Sequence, residues 1–403
     1  MVIKQTNKNG LRILVENVPN VRSVSIGIWI LTGSRNENLD NNGISHFLEH
    51  MFFKGTKSRS PQDIAEAFDS IGGQVNAFTS KELTCIYARV LDNHKTYALE
   101  VLADMFFNST FHEQEIRREK KVVVEEINMY EDTPDELVHD LLAKATYGYH
   151  PLGFPILGTE KQIETFSQNT LFNYMKEQYI PENIVVSIAG NVDETFIPTV
   201  EEAFYPLKYK ETNHTLTKPT FYSKQIEKSK DTEQAHLCIG YRGLPIHDEN
   251  IYSLVVMNNI LGGSMSSRLF QQVREVHGLA YSVFSYHTAF KDNGLLTIYA
   301  GTAKEQLPLL QKTIDEIIES FVEKGITEKE LKNAKEQLKG NMLLSLESTS
   351  SRMSRNAKNE LLLNRHRTMD EIMNEIEMID QRSVQTVIEN IFTNTPSSAL
   401  ITP

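Results

Sequence analysis

The order of predicted strands and helices begins again halfway along this chain of 403 residues, and this internal repeat limits the folds that it can adopt. Residues 111–116, Phe-His-Glu-Gln-Glu-Ile, line up with residues 326–331, Ile-Thr-Glu-Lys-Glu-Leu. Between them, residues 206–230 are rich in lysine and threonine and show little hydrophobic periodicity, which is typical of a linker. We therefore predict two homologous halves, 1–208 and 231–403, joined by a linker over 209–230.

Within each half, strand patterns are interspersed with long helical patterns. Clusters of β-branched and aromatic residues predict strands within 2–32, 74–90, 183–190, 235–241, 280–289 and 295–300. Apolar residues at helical spacing predict helices over 93–108, 113–130, 134–147, 250–261 and 267–276. Another helix is predicted to start with Ser60 as N-cap and Pro61 as first residue. The predicted fold class is α+β, with a mixed β-sheet covered by helices in each half.

The most informative short motif is His-Phe-Leu-Glu-His at residues 46–50. On a helix, His46 and His50 lie one turn apart on one face, so both imidazoles can bind one metal ion. Two neutral imidazoles suit zinc, and Glu49 beside them suits a general base acting on a metal-activated water. The alternative is that both histidines belong to a buried core, because apolar residues surround the motif. The motif favours the metal site, which then needs a third ligand from elsewhere in the chain.

Two glutamates of the helix predicted over 113–130 are candidates for that third ligand. Glu119 and Glu126 are seven residues apart, which is nearly two helical turns, so both face the same way. Val122 and Val123 lie between them, and a carboxylate on such a partly apolar stripe needs a partner; the alternative is a solvated helix face. Carried forward, the repeat places Ala334 and Asn341 at the equivalent positions. The second half therefore lacks both acids. This difference is typical of a protein in which one half is catalytic and the other supports it.

Composition argues against several classes of protein. The chain has 41 Lys and Arg residues against 53 Asp and Glu, with a net charge of −12 and no basic stripe, so we expect no nucleic-acid partner. The longest apolar stretches are of strand length and the first residues are not apolar, so we expect neither a membrane span nor a signal peptide. Two distant cysteines, Cys85 and Cys238, are typical of core thiols in a reducing compartment, and we predict a cytoplasmic protein.

Together these residues resemble a known family, the pitrilysin-type (inverzincin) zinc metallopeptidases. The resemblance rests on the motif at 46–50, on Glu126, which follows His50 by 76 residues, and on the spacing of Glu119. Within the family, the chain is similar to the branch that contains the mitochondrial processing peptidase β subunit and its bacterial relatives. Further stretches agree with the family pattern at residues 76–80, 150–153 and 262–281.

The resemblance implies a role for each residue of the predicted metal site. His46, His50 and Glu126 would bind one Zn²⁺ ion. Glu49 would take a proton from a zinc-activated water, and Glu119 would steady the site through one of its ligands. The implied reaction is the hydrolysis of peptide bonds.

The resemblance also implies how a peptide substrate is bound. An extended peptide would add as a strand to an edge strand that contains Asn76, Ala77 and Phe78. Arg274 and Tyr281 match a pair in the second half that reaches the substrate in this family, and Tyr281 would stabilise the developing oxyanion. The alternative for this pair is a surface arginine and a core tyrosine. The two halves would enclose a cavity.

The function that we predict is a zinc-dependent endopeptidase that cleaves extended peptides or unfolded segments in the cytoplasm, as a homodimer without nucleic-acid or membrane partners. Two alternatives of other classes stay open: a non-catalytic scaffold or partner subunit, and a metal-free protein that binds extended peptides. Inactive members of the family lack one or more motif residues. This chain has them all, which favours the enzyme.

Overall fold

The computed structural model describes residues 2–208 and 216–403, which form two compact units. The first unit contains the described residues of Met1–Asn128, Phe154–Leu216 and Ser345–His366. The second unit contains Met129–Gly153, Thr217–Leu344 and Arg367–Pro403. Of the linker predicted over 209–230, residues 209–215 lie outside the described residues.

Stretches rich in β-branched and aromatic residues form the first unit's sheet. Its strands are β1 (Val2–Thr6), β2 (Arg12–Asn17), β3 (Ser23–Ile30), β4 (Gln74–Thr79), β5 (Thr84–Leu91) and β6 (Ile184–Gly190). Their order across the sheet is β1-β2-β6-β3-β5-β4, so β4 lies at one edge. β2 runs parallel to β6 and the other pairs are antiparallel, which makes the sheet mixed, as predicted.

The second unit's sheet is also mixed. Its strands are β7 (Gln225–Ser229), β8 (Ala235–Gly243), β9 (Ser282–Ala289), β10 (Gly294–Thr302) and β11 (Ser397–Thr402). Their order is β7-β11-β8-β10-β9, and β7 and β11 are parallel. β7 lies within the stretch that was predicted to be linker. Its sequence, Gln-Ile-Glu-Lys-Ser, has a single apolar residue, and polar edge strands of this kind lack the usual strand pattern.

Helices cover both sheets. In chain order they are α1 (Ile44–Met51), α2 (Pro61–Asp69), α3 (Lys95–Asn108), α4 (Glu113–Glu131), α5 (Pro134–Tyr147), α6 (Glu160–Thr165), α7 (Gln168–Gln178), α8 (Ile197–Ala203), α9 (Ile251–Leu261), α10 (Leu307–Lys324), α11 (Glu328–Ser345), α12 (Thr349–Lys358), α13 (Met369–Glu377) and α14 (Gln381–Phe392).

The predicted N-cap of α2 is confirmed, since the Ser60 side chain accepts a hydrogen bond from the Asp63 N–H. The helix predicted over 267–276 differs, because Phe270–Val276 wind as a π-helix.

Each unit has its own apolar core between sheet and helices. In the first unit, Ile26 of β3 belongs to one buried cluster with Phe47 of α1 and Leu102 of α3. In the second unit, a separate buried cluster joins β8 and β10 to α9, α10 and α14. The two cores agree with the two homologous halves that the repeat predicts.

Two segments, 129–153 and 345–366, each pack in the unit that is formed mainly by the other half of the sequence. We call them the exchanged segments. α5, from the first half, packs against β8 and β11 in the second unit. α12, from the second half, packs against β3 and β6 in the first unit. Each compact unit therefore contains a helix from the other half of the sequence.

Both cysteines are free and buried, in agreement with the predicted core thiols. Burial raises the pKa of the Cys85 and Cys238 thiols, so both stay protonated and unreactive near neutral pH. Across the described ranges, no helix combines the length and the apolar character needed to span a membrane.

Candidate metal centre

The motif helix α1 is capped by Glu37, which lies outside the motif. The Glu37 carboxylate accepts hydrogen bonds from the backbone N–H groups of Gly43 and Ser45, at 2.8 and 2.9 Å, and from the Asn42 amide at 2.9 Å. N–H groups at a helix start have no partner within the helix, and the helix dipole favours a negative charge there. Gly43 has a φ of +93°, and a Cβ at this position would lie 2.6 Å from the Leu157 carbonyl oxygen. Glycine and the glutamate cap thus fix where α1 begins.

Three ligand atoms of His46, His50 and Glu126 lie close together. His46 Nε2 lies 3.2 Å from His50 Nε2, and Glu126 Oε2 lies 3.7 and 3.4 Å from these two nitrogens. Ligand atoms bound at about 2.0–2.1 Å in a tetrahedral zinc site are about 3.3–3.5 Å apart, so the three atoms nearly have the spacing that zinc requires. In the described part of the chain, this is the one group of three histidine, cysteine or acidic side chains whose ligand atoms all lie within 4.8 Å of one another.

The two histidines have pKa values shifted in opposite directions. Burial, and then the neighbouring His50 ring, lower the pKa of His46 to about 3, so its ring is neutral and can offer a lone pair. Burial also lowers the pKa of His50, but the hydrogen bond with Glu119 and the charge of Glu126 outweigh burial and raise it. Protons and metal ions therefore compete for the His50 ring.

Glu119 lies behind His50 and contacts it through the other ring nitrogen. Glu119 Oε1 lies 2.8 Å from His50 Nδ1, and Oε2 lies 2.8 Å from Lys54 Nζ. A carboxylate at Nδ1 keeps the proton on that nitrogen and leaves Nε2 free to bind a metal. Burial raises the pKa of Glu119, but the hydrogen bonds from His50 and Lys54 outweigh it and lower the pKa below its usual value. Glu119 can therefore orient His50 while it stays ionised.

Glu49 precedes His50 in α1, and its side chain contacts the end of β4. Thr79 Oγ1 donates a hydrogen bond of 2.7 Å to Glu49 Oε2. Burial raises the pKa of Glu49, and the hydrogen bond from Thr79 opposes this effect. A half-buried carboxylate with a raised pKa, next to a group of metal-ligand atoms, is suited to accept a proton from water.

Asn76, Ala77 and Phe78 lie on β4, the last strand of the sheet, and one edge of β4 is unpaired among the described strands. Asn76 is exposed and Ala77 is buried. Phe78 is half-buried, and its ring packs edge-on against Trp29 with 5.4 Å between the ring centroids. Side chains therefore alternate between the two faces of the strand, while the backbone of the unpaired edge is open to another strand.

Arg274 and Tyr281 lie in the second unit, and their side chains contact each other. The Arg274 guanidinium lies 4.5 Å from the centre of the Tyr281 ring and 4.8 Å from that of Phe270, which are cation–π distances. Tyr281 is 79% exposed and precedes β9, so it is not the core tyrosine considered as the alternative. Its hydroxyl is open to a ligand.

Sequence reasoning missed the roles of three residues in this region: Glu37, Lys54 and Thr79. Lys54 follows His50 by four residues, a helical spacing that could have placed it beside the motif. Thr79 lies within the stretch that agrees with the family pattern, but its contact depends on how β4 packs against α1. Glu37 had no such signal, because its hydrogen bonds depend on the path of the loop before α1.

Comparisons with known proteins cover nearly the whole chain. Residues 12–160 match the family model described as Insulinase (Peptidase family M16), and residues 165–338 match the model described as Peptidase M16 inactive domain. The uncharacterized zinc protease YmxG of Bacillus subtilis is 57% identical over 405 residues, which cover 100% of this chain and 98% of that protein. An uncharacterized zinc protease of Streptomyces coelicolor is 38% identical over 415 residues, which cover 100% and 90% respectively.

Solved structures show the same fold. A protease from Helicobacter pylori superposes with a TM-score of 0.93 at 23% identity, covering 100% of this chain and 99% of that one. A structure from Pseudomonas fluorescens described as peptidase M16 inactive domain has a TM-score of 0.92 at 19% identity, covering 100% and 97%. The resemblance inferred from the motifs is thus confirmed, and the chain belongs to peptidase family M16, the insulinase- or pitrilysin-type zinc proteases.

Proposed function

We propose that this protein is a zinc-dependent endopeptidase that hydrolyses peptide bonds in extended peptides or unfolded segments. The observation that carries the proposal is a half-buried carboxylate, Glu49, between two histidines whose Nε2 atoms lie 3.2 Å apart, next to an unpaired strand edge. A purely structural metal site would need neither the base nor the open edge. The relatives that are named zinc proteases support the same class of reaction.

The ligands and the base would divide the chemistry between them. His46, His50 and Glu126 would hold the ion, and three protein ligands leave a fourth position for reactants, as in catalytic zinc sites. Zinc bound there would supply Lewis-acid catalysis and lower the pKa of the attacking water. Glu49 takes the proton from that water and passes it to the leaving amine. The raised pKa of Glu49 favours the first transfer, because a carboxylate whose protonated form is a weaker acid is a stronger base toward the water.

The unpaired edge of β4 would bind the substrate. An extended peptide can add there as a further strand through backbone groups, and these are the same in every sequence. Asn76 and Phe78 would face one set of alternate substrate side chains. A folded domain seldom offers an unpaired strand, so this mode of binding limits the substrates to extended peptides or unfolded segments.

Metal analysis of the purified protein, together with cleavage of a mixed peptide library, tests the proposal. We expect one zinc per chain and cleavage that a chelator abolishes and added zinc restores. Full zinc content without cleavage of any peptide would reject the endopeptidase. Tight binding of extended peptides under those conditions would instead favour a non-catalytic peptide-binding subunit of the same fold.

Replacing Glu126 by Gln is expected to weaken zinc binding by about two orders of magnitude, because two imidazoles alone hold zinc weakly. Competition against a chromophoric chelator measures the affinity. Glu125→Gln is the matched control, since Glu125 is exposed on the same helix and should leave the affinity unchanged. Full zinc occupancy in the Glu126 variant at the same chelator concentration would remove Glu126 from the ligand set.

The proposal extends to the second half, which would bind substrate without holding metal. Tyr281→Phe is expected to lower kcat by about tenfold or more while zinc content is unchanged, because only a hydroxyl near the developing oxyanion is lost. Tyr205→Phe, at a tyrosine that is 86% exposed, controls for the loss of a surface hydroxyl. A parental kcat in the Tyr281 variant would contradict the proposed contact with substrate.

The cytoplasmic location and the homodimer remain predictions. Fractionation of the cells that make the protein tests the first, and light scattering of the purified chain tests the second.

A further inference from the structure

The end of β4 is held in place by residues 33–37, which we call the support segment. The turn over residues 80–83, which follows β4, lies against this segment. The Arg35 N–H donates a hydrogen bond of 2.7 Å to the Lys81 carbonyl. The Arg35 side chain also pairs with Glu82, with 2.5 Å between Nη1 and Oε1, and both side chains are buried. The position of the last residue of β4 is therefore set by buried contacts that do not involve the metal ligands.

The same support segment also holds the metal helix. Its last residue, Glu37, is the carboxylate that caps α1 at Gly43 and Ser45. One short stretch of chain thus contacts both the turn after β4 and the first turn of α1. Because the ends of these two elements share a support, the distance between Thr79 on β4 and Glu49 on α1 is well defined.

The contact between these two side chains is specific. In the described part of the chain, the Glu49 carboxylate has one hydrogen bond, which it accepts through Oε2 from Thr79 Oγ1 at 2.7 Å. Threonine is β-branched, so its χ1 angle is restricted and its hydroxyl has a fixed direction. A hydroxyl that donates to an ionised carboxylate makes a strong, short bond. Glu49 Oε1 is left for a ligand or a water.

We infer that Thr79 is a positioning residue for Glu49, fixing one carboxylate oxygen so that the other is directed at the attacking water. This inference rests on the proposed function. Because Thr79 belongs to the strand whose free edge would receive the peptide, it also fixes the base relative to the bound substrate. Loss of the hydroxyl should then reduce the rate of the chemical step, and should affect neither the metal content nor the binding of peptide.

The test compares Thr79→Val, which is nearly isosteric and lacks the hydroxyl, with Thr79→Ser, which keeps it. We expect Thr79→Val to lower kcat by about tenfold to 100-fold, because a misplaced catalytic group costs up to that factor. Its KM should stay within about twofold of the parental value, and its zinc content should be unchanged. Thr79→Ser should recover most of the lost kcat.

Thr84→Val is the matched control. Thr84 lies opposite Thr79 in the β4–β5 register, and its hydroxyl donates to the Thr32 carbonyl at 2.8 Å instead of to Glu49. We expect this variant to melt at a lower temperature with a parental kcat, because it loses a buried hydrogen bond away from the base. A loss of kcat in Thr84→Val equal to that in Thr79→Val would show that only general damage to the strands had been measured, and would overturn the inference.

Two other results would also overturn the inference: a parental kcat in Thr79→Val, or an equal loss in the Ser and Val variants. If the parental protein with full zinc cleaves no peptide, the proposed function fails separately. Crystal structures of the zinc-loaded parent and of Thr79→Val then decide the positioning role. A Glu49 carboxylate displaced by about 1 Å or more would support it, and an unmoved carboxylate would reject it.

Discussion

Glu49→Gln is expected to lower kcat by about 10²–10⁴-fold while zinc content and thermal stability are retained. Glutamine has nearly the shape of glutamate, and its amide oxygen can still accept the hydrogen bond that Thr79 donates. The amide cannot accept a proton from water, so we expect only the rate of the chemical step to fall. Steady-state cleavage of a peptide selected from the library, measured at saturating zinc, gives the change in kcat.

The control for this variant is Glu125→Gln, which makes the same substitution on the exposed face of α4. It should leave kcat, zinc content and melting temperature unchanged. Cleavage by Glu49→Gln at near the parental rate would show that Glu49 is not the base. Loss of zinc together with activity would instead make Glu49 part of the metal site, and the assignment of Glu126 as third ligand would then have to be revised.

The ligand cluster was predictable because it depends on spacing along helices. His46 and His50 lie one turn apart on one face of α1, so their side chains are neighbours, and the structure places their Nε2 atoms 3.2 Å apart. The shared helix face made both Glu119 and Glu126 candidates for the third ligand, and the choice of Glu126 came from the resemblance to the family. The structure adds what spacing alone could not give: α4 lies beside α1, so Glu126 faces both histidines while Glu119 lies behind one of them.

Contacts between distant segments were not predictable in the same way. The Glu37 cap depends on a loop that returns to the start of α1, and the bond between Thr79 and Glu49 depends on the packing of β4 against α1. β7 was not predicted from the sequence, because a strand that backbone hydrogen bonds hold at a sheet edge needs few apolar side chains. In each case the local sequence is compatible with several structures, and the tertiary fold selects one.

The exchanged segments are the clearest example of a tertiary arrangement that the sequence did not predict. A repeat in the sequence predicts that each half folds from one continuous stretch of chain. Met353 of α12 is buried on the first unit's sheet, where its sulfur accepts a hydrogen bond from Trp29 Nε1 at 2.9 Å. A Cβ on Gly27 of β3 would lie 2.5 Å from the same sulfur. Arg352 and Asn356 of α12 bind the two carboxylate oxygens of the buried Glu16, at 2.6 and 2.7 Å. The sheet of the unit that contains the metal-ligand residues is therefore covered in part by a helix from the other half of the sequence.

A fragment of residues 1–208 is accordingly expected not to fold, although it contains His46, His50 and Glu126. Without α12, the buried Trp29 and the carboxylate of Glu16 would be exposed or left without partners. Burial of each large apolar side chain contributes about 1.5–3 kcal/mol, whereas a whole domain is stable by only about 5–15 kcal/mol. Loss of several such contacts should remove most of that stability, and the zinc ligands would no longer be held together.

Circular dichroism during heating and zinc titration of the fragment measure this outcome. We expect no cooperative transition for residues 1–208 alone and zinc binding at least about 100-fold weaker than that of the full chain. Co-expression of 1–208 with 209–403 is the control, since together they contain every exchanged segment, and this pair should form a soluble complex with one zinc. A cooperative transition and full zinc content in 1–208 alone would show that α12 is dispensable for the metal site.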